Sequence, residues 1–310
     1  MSTDSPIAQA KDIWDSKTYS QKVAPYVPAL TTRIVGMLDP REEDHILDLG
    51  CGDGVLTSQI SALVSSIVGI DASANMISAA NANYSTSNST YLTIDAVSIT
   101  CPKIQSTITS HLSPSTTLQF TKIFSNAALH WILRPLTPDS TTRDITPLVN
   151  FFRACYDLLA PGGTFVSESG AQGNVAEVHT ALISALIHRG VPPAEARDAS
   201  PWLFPSKGLM STALTRAGFV VDHIETEHRP TEAMEADIQS WVRLFGAPFL
   251  DKLEEFVNAR DGGNGEKGQQ AREDAVREVA EAVERVGRRP EDGEFVIGYV
   301  RLRFQARKPE

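Results

Sequence analysis

The sequence predicts an α/β fold built on an open, mostly parallel sheet, and three observations carry that expectation. Residues 45–71, HILDLGCGDGVLTSQISALVSSIVGID, read as an apolar strand, a glycine turn, an amphipathic helix and a second strand ending on Asp71. Further apolar runs at 91–94, 120–125 and 164–167 read as strands, with helical stretches at 74–83 and 148–159 between them. With 310 residues, 42% of them hydrophobic, the chain can bury one substantial core plus a subdomain or cap, rather than two independent domains.

The glycine turn carries the chemistry. Gly50 and Gly52 let the backbone turn sharply and approach a ligand where a Cβ would intrude, and Asp71, seventeen residues past Gly54, sits where such folds hold a ribose diol. A pyrophosphate resting on the helix N-terminus avoids neighbouring anions, yet Asp48 precedes the turn and Asp53 lies inside it. These acids disfavour a nicotinamide dehydrogenase and suit a cationic, phosphate-free ligand. An acid followed by GxGxG resembles motif I of the class I S-adenosylmethionine (SAM) dependent methyltransferases. The resemblance implies a Rossmann-like class I methyltransferase fold: a seven-stranded, mostly parallel sheet with an antiparallel last strand, helices on both faces and a helical cap. It implies SAM as cofactor, S-adenosylhomocysteine (SAH) as product, and Asp48, Gly50, Cys51, Gly52, Asp53, Asp71 and Ala72 against the cofactor.

Composition narrows the partners. Acidic residues outnumber basic ones by 38 to 28, a formal charge of −10, and no basic patch is visible before the C-terminal third, which argues against a nucleic-acid partner. Cys51, Cys101 and Cys155 follow no metal or disulfide spacing, so the expectation is a reducing compartment and no metal. Residues 1–11 lack the apolar centre of a signal peptide and no apolar run reaches membrane-spanning length. The expectation is a soluble, cytoplasmic enzyme of small molecules, either monomer or homodimer.

In chain order, residues 1–44 read as an N-terminal helical cap segment and 45–310 as the SAM-binding domain, with cap insertions around 98–119, 132–147 and 170–205. Trp14, Tyr19, Val23 and Tyr26 can share one helical face, which either packs on the core or, by the resemblance, brings Trp14 and Tyr19 over the cofactor. Ser73 is the expected N-cap of the helix at 74–83, and places Met76 either in the core or, by resemblance, against the adenine. The third strand delivers Asp95 and Ala96; the acid is either a solvated strand end or, by the resemblance, the acceptor for the adenine amino group. Residues 98–119 are Ser/Thr-rich and weakly periodic, an insertion on the surface or at the substrate entrance. The fourth strand runs into Asn126-Ala127-Ala128-Leu129-His130-Trp131, at the carboxyl end of a strand where ligands of open α/β sheets sit.

SNAALHW at 125–131, LLAPGGTFVSE at 158–168, GAQGN, PWLFPS, LTRAGF and the final YVRLRF together resemble the trans-aconitate methyltransferase type of small-molecule methyltransferases. That resemblance implies Asn126 and Ala127 beside the cofactor, and Trp131, Glu168, Gln172, Asn174, Trp202 and Phe204 beside the substrate. The reaction expected is an SN2 methyl transfer to a carboxylate or hydroxyl oxygen. His130 is the catalytic candidate: a base for a phenol or enol, a donor orienting a carboxylate, or a packing residue. A SAM-binding protein with a different or lost reaction, and a C- or N-methyltransferase, stay open. A nucleic-acid methyltransferase would carry a motif such as NPPY where this chain has NAALHW. Strands at 219–224 and 295–304 are expected to pair as an antiparallel edge, 238–257 to form one helix, and 271–286 a charged helix resting on Val276, Val279, Val283 and Val286.

Overall fold

A computed structural model describes residues 31–112, 119–138, 141–232, 238–262 and 265–310. Trp14 and Tyr19 lie outside them. Helix α1 (Thr32–Leu38) precedes β1 (His45–Leu49), α2 (Val55–Ser61), β2 (Ser66–Asp71), α3 (Ala74–Tyr84) and β3 (Ser89–Thr93). After a 3-10 turn (Ala96–Thr100) come α4 (Pro102–Thr109), β4 (Phe120–Asn126), α5 (Leu129–Ile132), α6 (Thr146–Leu158) and β5 (Leu159–Gly170). The rest is α7 (Ala176–His188), α8 (Pro193–Asp198), α9 (Lys207–Ala217), β6 (Val220–Glu232), α10 (Ile238–Phe245), α11 (Ala247–Asp261), α12 (Glu266–Gly287) and β7 (Val296–Arg307).

The strands form one seven-stranded sheet in the order β3-β2-β1-β4-β5-β7-β6. β3 to β5 pair in parallel, and β7 runs antiparallel to both β5 and β6. Alternation divides the sheet's side chains between two layers. Ile46, Ile67, Phe124 and Val166 pack with Ile34 and Leu38 of α1 and Ile60 of α2. Leu47, Val68, Ile123 and Phe165 pack on the other face with Ile108 of α4, Phe151 and Phe152 of α6 and Leu214 of α9. A separate core joins Val178, Leu182 and Leu186 of α7 to Val242, Phe249, Leu253, Val276, Val279 and Val283, with Ile297 and Tyr299 from the start of β7. This is the cap, and β7 links it to the sheet.

The expected antiparallel edge is formed by β6 and β7, with β7 between β5 and the outermost β6, and three other expectations are corrected. β6 also continues to Glu232, because an edge strand bonded on one side only tolerates Pro230 and the polar run around it. The helix expected at 238–257 is broken at Gly246, where Pro248 in the first turn of α11 cannot continue α10 and a Cβ would sit 2.5 Å from the Val242 carbonyl oxygen. The Val286 end of the α12 stripe is 75% exposed, while Val276, Val279 and Val283 are buried, and the helix is part of the cap core rather than a surface rod. The Ser/Thr-rich segment 98–119 contributes Ile99 and Ile108 to the main core. No helix of the described residues is long and apolar enough to cross a membrane.

Candidate active site

The glycine turn is held from both sides. Gly50 and Gly52 take left-handed φ of +76° and +57°, which an L side chain resists, and the Gly50 and Cys51 N–H groups donate to the Ile70 carbonyl at 2.8 and 3.1 Å. Asp71 accepts from the Gly52 N–H at 3.0 Å with Oδ2 and from the Ser73 N–H at 2.9 Å with Oδ1. Ser73 caps α3 by accepting from the Met76 N–H at 3.1 Å. Asp48 is buried beneath the turn with Thr57 Oγ1 donating to it at 2.7 Å. Burial pushes its carboxyl up to about 7, the Thr57 hydrogen bond opposes that, and the nearby Asp71 adds to it. Burial likewise raises the Cys51 thiol.

A cavity of about 450 Å³ opens over this turn, within the range of roughly 300–1,000 Å³ typical of small-molecule sites. One end is acidic: Asp48, Asp53, Asp71 and Asp95 line it, with Gly50, Cys51, Gly52, Ala72, Met76 and Ala96. Asp95 is exposed and also caps the 3-10 turn, its Oδ1 accepting from Val97 N–H at 3.0 Å. Asn126 and Ala127 also line the cavity. Ala127 holds a positive φ of 55° and Val175, a β-branched residue, one of 46°; both line the cavity, and such strain gathers at ligand sites. Among the described residues no cluster of His, Cys, Asp and Glu is arranged to hold a metal ion.

The other end is aromatic. His130, Trp131, Trp202 and Phe204 line it, with Trp202 stacked on Phe204 at 5.5 Å and Trp131 edge-on to Trp202 at 5.5 Å. The chain crosses from α5 to the cap loop through the Leu203 N–H on the His130 carbonyl at 2.8 Å and through Arg134 on the Asp198 and Ser200 carbonyls. His130 is buried, and Gly170 N–H donates to its Nδ1 at 3.3 Å, which assigns the ring hydrogen to Nε2. Burial, with Arg301 as a lesser cause, lowers its pKa to about 3.

Two of the expected substrate residues stand elsewhere. Glu168 is buried, absent from the lining, and engaged by Arg303 Nε and by Arg229 Nη2 at 2.9 Å. Gln172 is exposed, and its N–H donates to the Pro205 carbonyl at 3.0 Å. Asn174 does line the cavity, but its Oδ1 is engaged by the Val300 N–H at 3.0 Å. In place of Glu168 and Gln172 the wall includes Trp241, Tyr299 and Arg301. For Tyr299 and Arg301 the sequence held a partial signal: in YVRLRF, Tyr299, Arg301 and Arg303 alternate with Val300, Leu302 and Phe304, which marks one polar-tipped face of a strand without saying what it faces.

The methyltransferase domain family matches residues 47–167, from β1 to β5. An uncharacterized methyltransferase of Schizosaccharomyces pombe is 34% identical over 298 residues, covering 96% of this chain and 99% of its own length. Among solved structures, a Bacillus halodurans protein described as a methyltransferase superposes with a TM-score of 0.53 at 15% identity, over 91% of this chain and 100% of that one. The YcgJ protein of Bacillus subtilis does so with a TM-score of 0.50 at 14% identity, over 90% and 99%. An acid-lined glycine turn at the head of a 3-2-1-4-5-7-6 sheet defines a SAM-binding α/β protein. The chain belongs to the class I SAM-dependent methyltransferase family.

Proposed function

We propose that this protein transfers the methyl group of SAM to an oxygen of a small organic acid or hydroxyl compound, as the resemblance to the trans-aconitate type suggests. The observation that carries the reading is the division of one cavity into an acidic end and an aromatic end that contains an arginine. The acidic end fits SAM: it offers carboxylates to a sulfonium, an ammonium and a ribose diol, and the described residues that line it include no cluster of cations for phosphates. Asp71 serves the ribose, Asp48 and Asp53 the cationic part, and Asp95, Ala96 and Met76 the adenine. When bound, SAM supplies a methyl carbon on cationic sulfur; the acceptor oxygen's lone pair takes that carbon and the carbon–sulfur pair stays with sulfur. The protein's own contribution is alignment and exclusion of water by the aromatic wall. The three cysteines, none in a disulfide, fit a reducing, cytoplasmic setting.

Calorimetric titration with SAM, SAH and NAD tests the cofactor, and Asp71→Ala is expected to weaken SAM by about 1.5 to 3 kcal/mol, with the melting temperature followed because Asp71 also holds the turn. Equal SAM affinity in that variant removes Asp71 from the site.

SAM affinity should depend on pH through Asp48. The buried acid is protonated below about 7 and ionised above it, and a neighbouring cation favours the ionised form. Binding therefore releases a proton, and affinity rises between pH of about 6 and about 8, less for SAH, whose sulfur is neutral. A flat profile for both ligands would exclude Asp48 from the cationic subsite.

His130 is proposed as an orienting Nε2–H donor, since with a pKa of about 3 it is neutral throughout the working range and too weak a base to help. His130→Ala should raise KM for the acceptor with SAM affinity intact. Turnover in the native protein should not fall from histidine protonation until pH nears about 4; a kcat profile falling through about 6.5 would restore the base role.

A further inference from the structure

We infer that the acceptor is an apolar acid with a single carboxylate held by Arg301. The inference rests on the methyl-transfer reading and narrows its acceptor. Among the described residues that line the cavity, Arg301 is the one lysine or arginine, and it stands against Tyr299 of the aromatic wall. Its guanidinium carbon stands 4.5 Å over the Tyr299 ring, and the Tyr299 hydroxyl accepts from Trp241 Nε1–H at 3.0 Å. The ring is thus tied between sheet and cap, and it holds the guanidinium plane in one orientation. Glu168 Oε1 lies 3.9 Å from Arg301 Nε, beyond direct hydrogen-bonding range, so it steadies the cation through its field.

The makeup of the rest of the wall decides the body of the acceptor. Trp202 and Phe204 line the cavity stacked on each other, Trp131 meets Trp202 edge-on, and Trp241 packs on Phe245, so this wall is aromatic and apolar. Apolar surface is what such rings desolvate best. A second or third carboxylate would be buried against them with no further lysine or arginine among the described lining residues, and a buried charge without a partner is costly. In the transfer, one carboxylate oxygen stays on Arg301 while a lone pair of the other forms the oxygen–methyl bond. The carbon–sulfur bond breaks toward sulfur, and no proton moves. The ester product is neutral and no longer matches the guanidinium, which separates product from substrate.

The test uses the full chain saturated with SAH and a panel of probes: benzoate, cinnamate and naphthoate, with cinnamamide, methyl cinnamate and citrate as contrasts. Titration is expected to show at least one aryl acid binding roughly 10- to 100-fold more tightly than cinnamamide, methyl cinnamate and citrate, the range for a hydrogen bond to a charged group. With SAM in place of SAH, mass spectrometry should find that acid as its methyl ester. Arg301→Gln should erase the preference for acid over amide while leaving SAH affinity within about twofold. Citrate binding above every aryl acid, or equal binding of acid and amide by the native protein, overturns the inference with the methyltransferase reading intact. Failure of SAM and SAH to bind overturns both. If Arg301→Gln does not fold, the native protein's acid, amide and ester comparison decides alone.

Discussion

Gly50→Ala is expected to lower stability by about 2 to 4 kcal/mol and to abolish SAM binding, although it adds a single methyl group. Two independent costs combine at this residue. Its φ of +76° lies in the left-handed region, where an L side chain costs roughly 1–2 kcal/mol, and a Cβ built there would stand 2.3 Å from the Cβ of Ala128. Neither partner can yield easily. The Gly50 N–H is bonded to the Ile70 carbonyl at the end of β2, and Ala128 follows Ala127, already at a positive φ, in the segment that carries Asn126 and His130. The sequence suggests that a side chain at Gly50 would meet the cofactor; the structure adds that it meets the other wall of the site first. Gly52→Ala provides the contrast. At φ +57° no heavy atom of the described residues lies within 4 Å of its Cβ, so the backbone cost dominates and the melting temperature should move much less. Adding Ala128→Gly to Gly50→Ala removes the colliding atom and should recover part of the lost stability in a double-mutant cycle. A Gly50→Ala protein that melts with the native one would show that the turn is not locked in this way.

What could be foreseen from sequence follows from how local each signal is. The glycine turn, the Ser73 cap and the strands β1 to β4 are written within short windows by periodicity, glycine and capping chemistry, and the structure has them near the expected positions. The acidic end of the cavity was legible for that reason: Asp48, Gly50, Asp53 and Asp71 lie within one βαβ unit. The aromatic end was legible only where a strand end or a motif pointed at it, as with His130, Trp131, Trp202 and Phe204. Trp241, Tyr299 and Arg301 come from the far end of the chain, and they reach the cavity because β7 is inserted beside β5. No local pattern encodes that insertion. The break at Gly246 was available in Gly-Ala-Pro but was outweighed by the apolar stripe around it. Glu168, expected beside the substrate on the resemblance alone, is instead held by arginines more than sixty and more than one hundred and thirty residues away, a pairing that no short window displays.

Glu168→Ala is the second substitution with a large expected effect, a loss of about 3 to 5 kcal/mol of stability, because it removes the carboxylate from a buried charge cluster. Glu168 stands opposite Arg303 in the β5–β7 register, and Arg303 stands opposite Glu225 in the β7–β6 register. Arg303 is 1% exposed and donates to Glu168, Glu225 and Glu227, while Arg229 donates to Glu168 and Arg33 of α1 to Glu225. Taking Glu168 away leaves Arg229 in low dielectric without its acceptor and Arg303 with Glu225 and Glu227 alone, a penalty above the net worth of the pair itself. Glu168→Gln keeps the volume and two polar atoms, so its loss should be smaller but still clear. The cluster also borders Arg301, which ties this prediction to function: a destabilised cluster should weaken acceptor binding after stability, as a consequence and not as a separate effect. Replacing Glu168 and Arg303 together with Met should recover only part of the stability, since Arg229 is then left without Glu168 while Glu225 keeps Arg33. A direct substrate role for Glu168 would give the opposite pattern, a melting curve like that of the native protein with a raised KM, and that result would overturn the structural assignment.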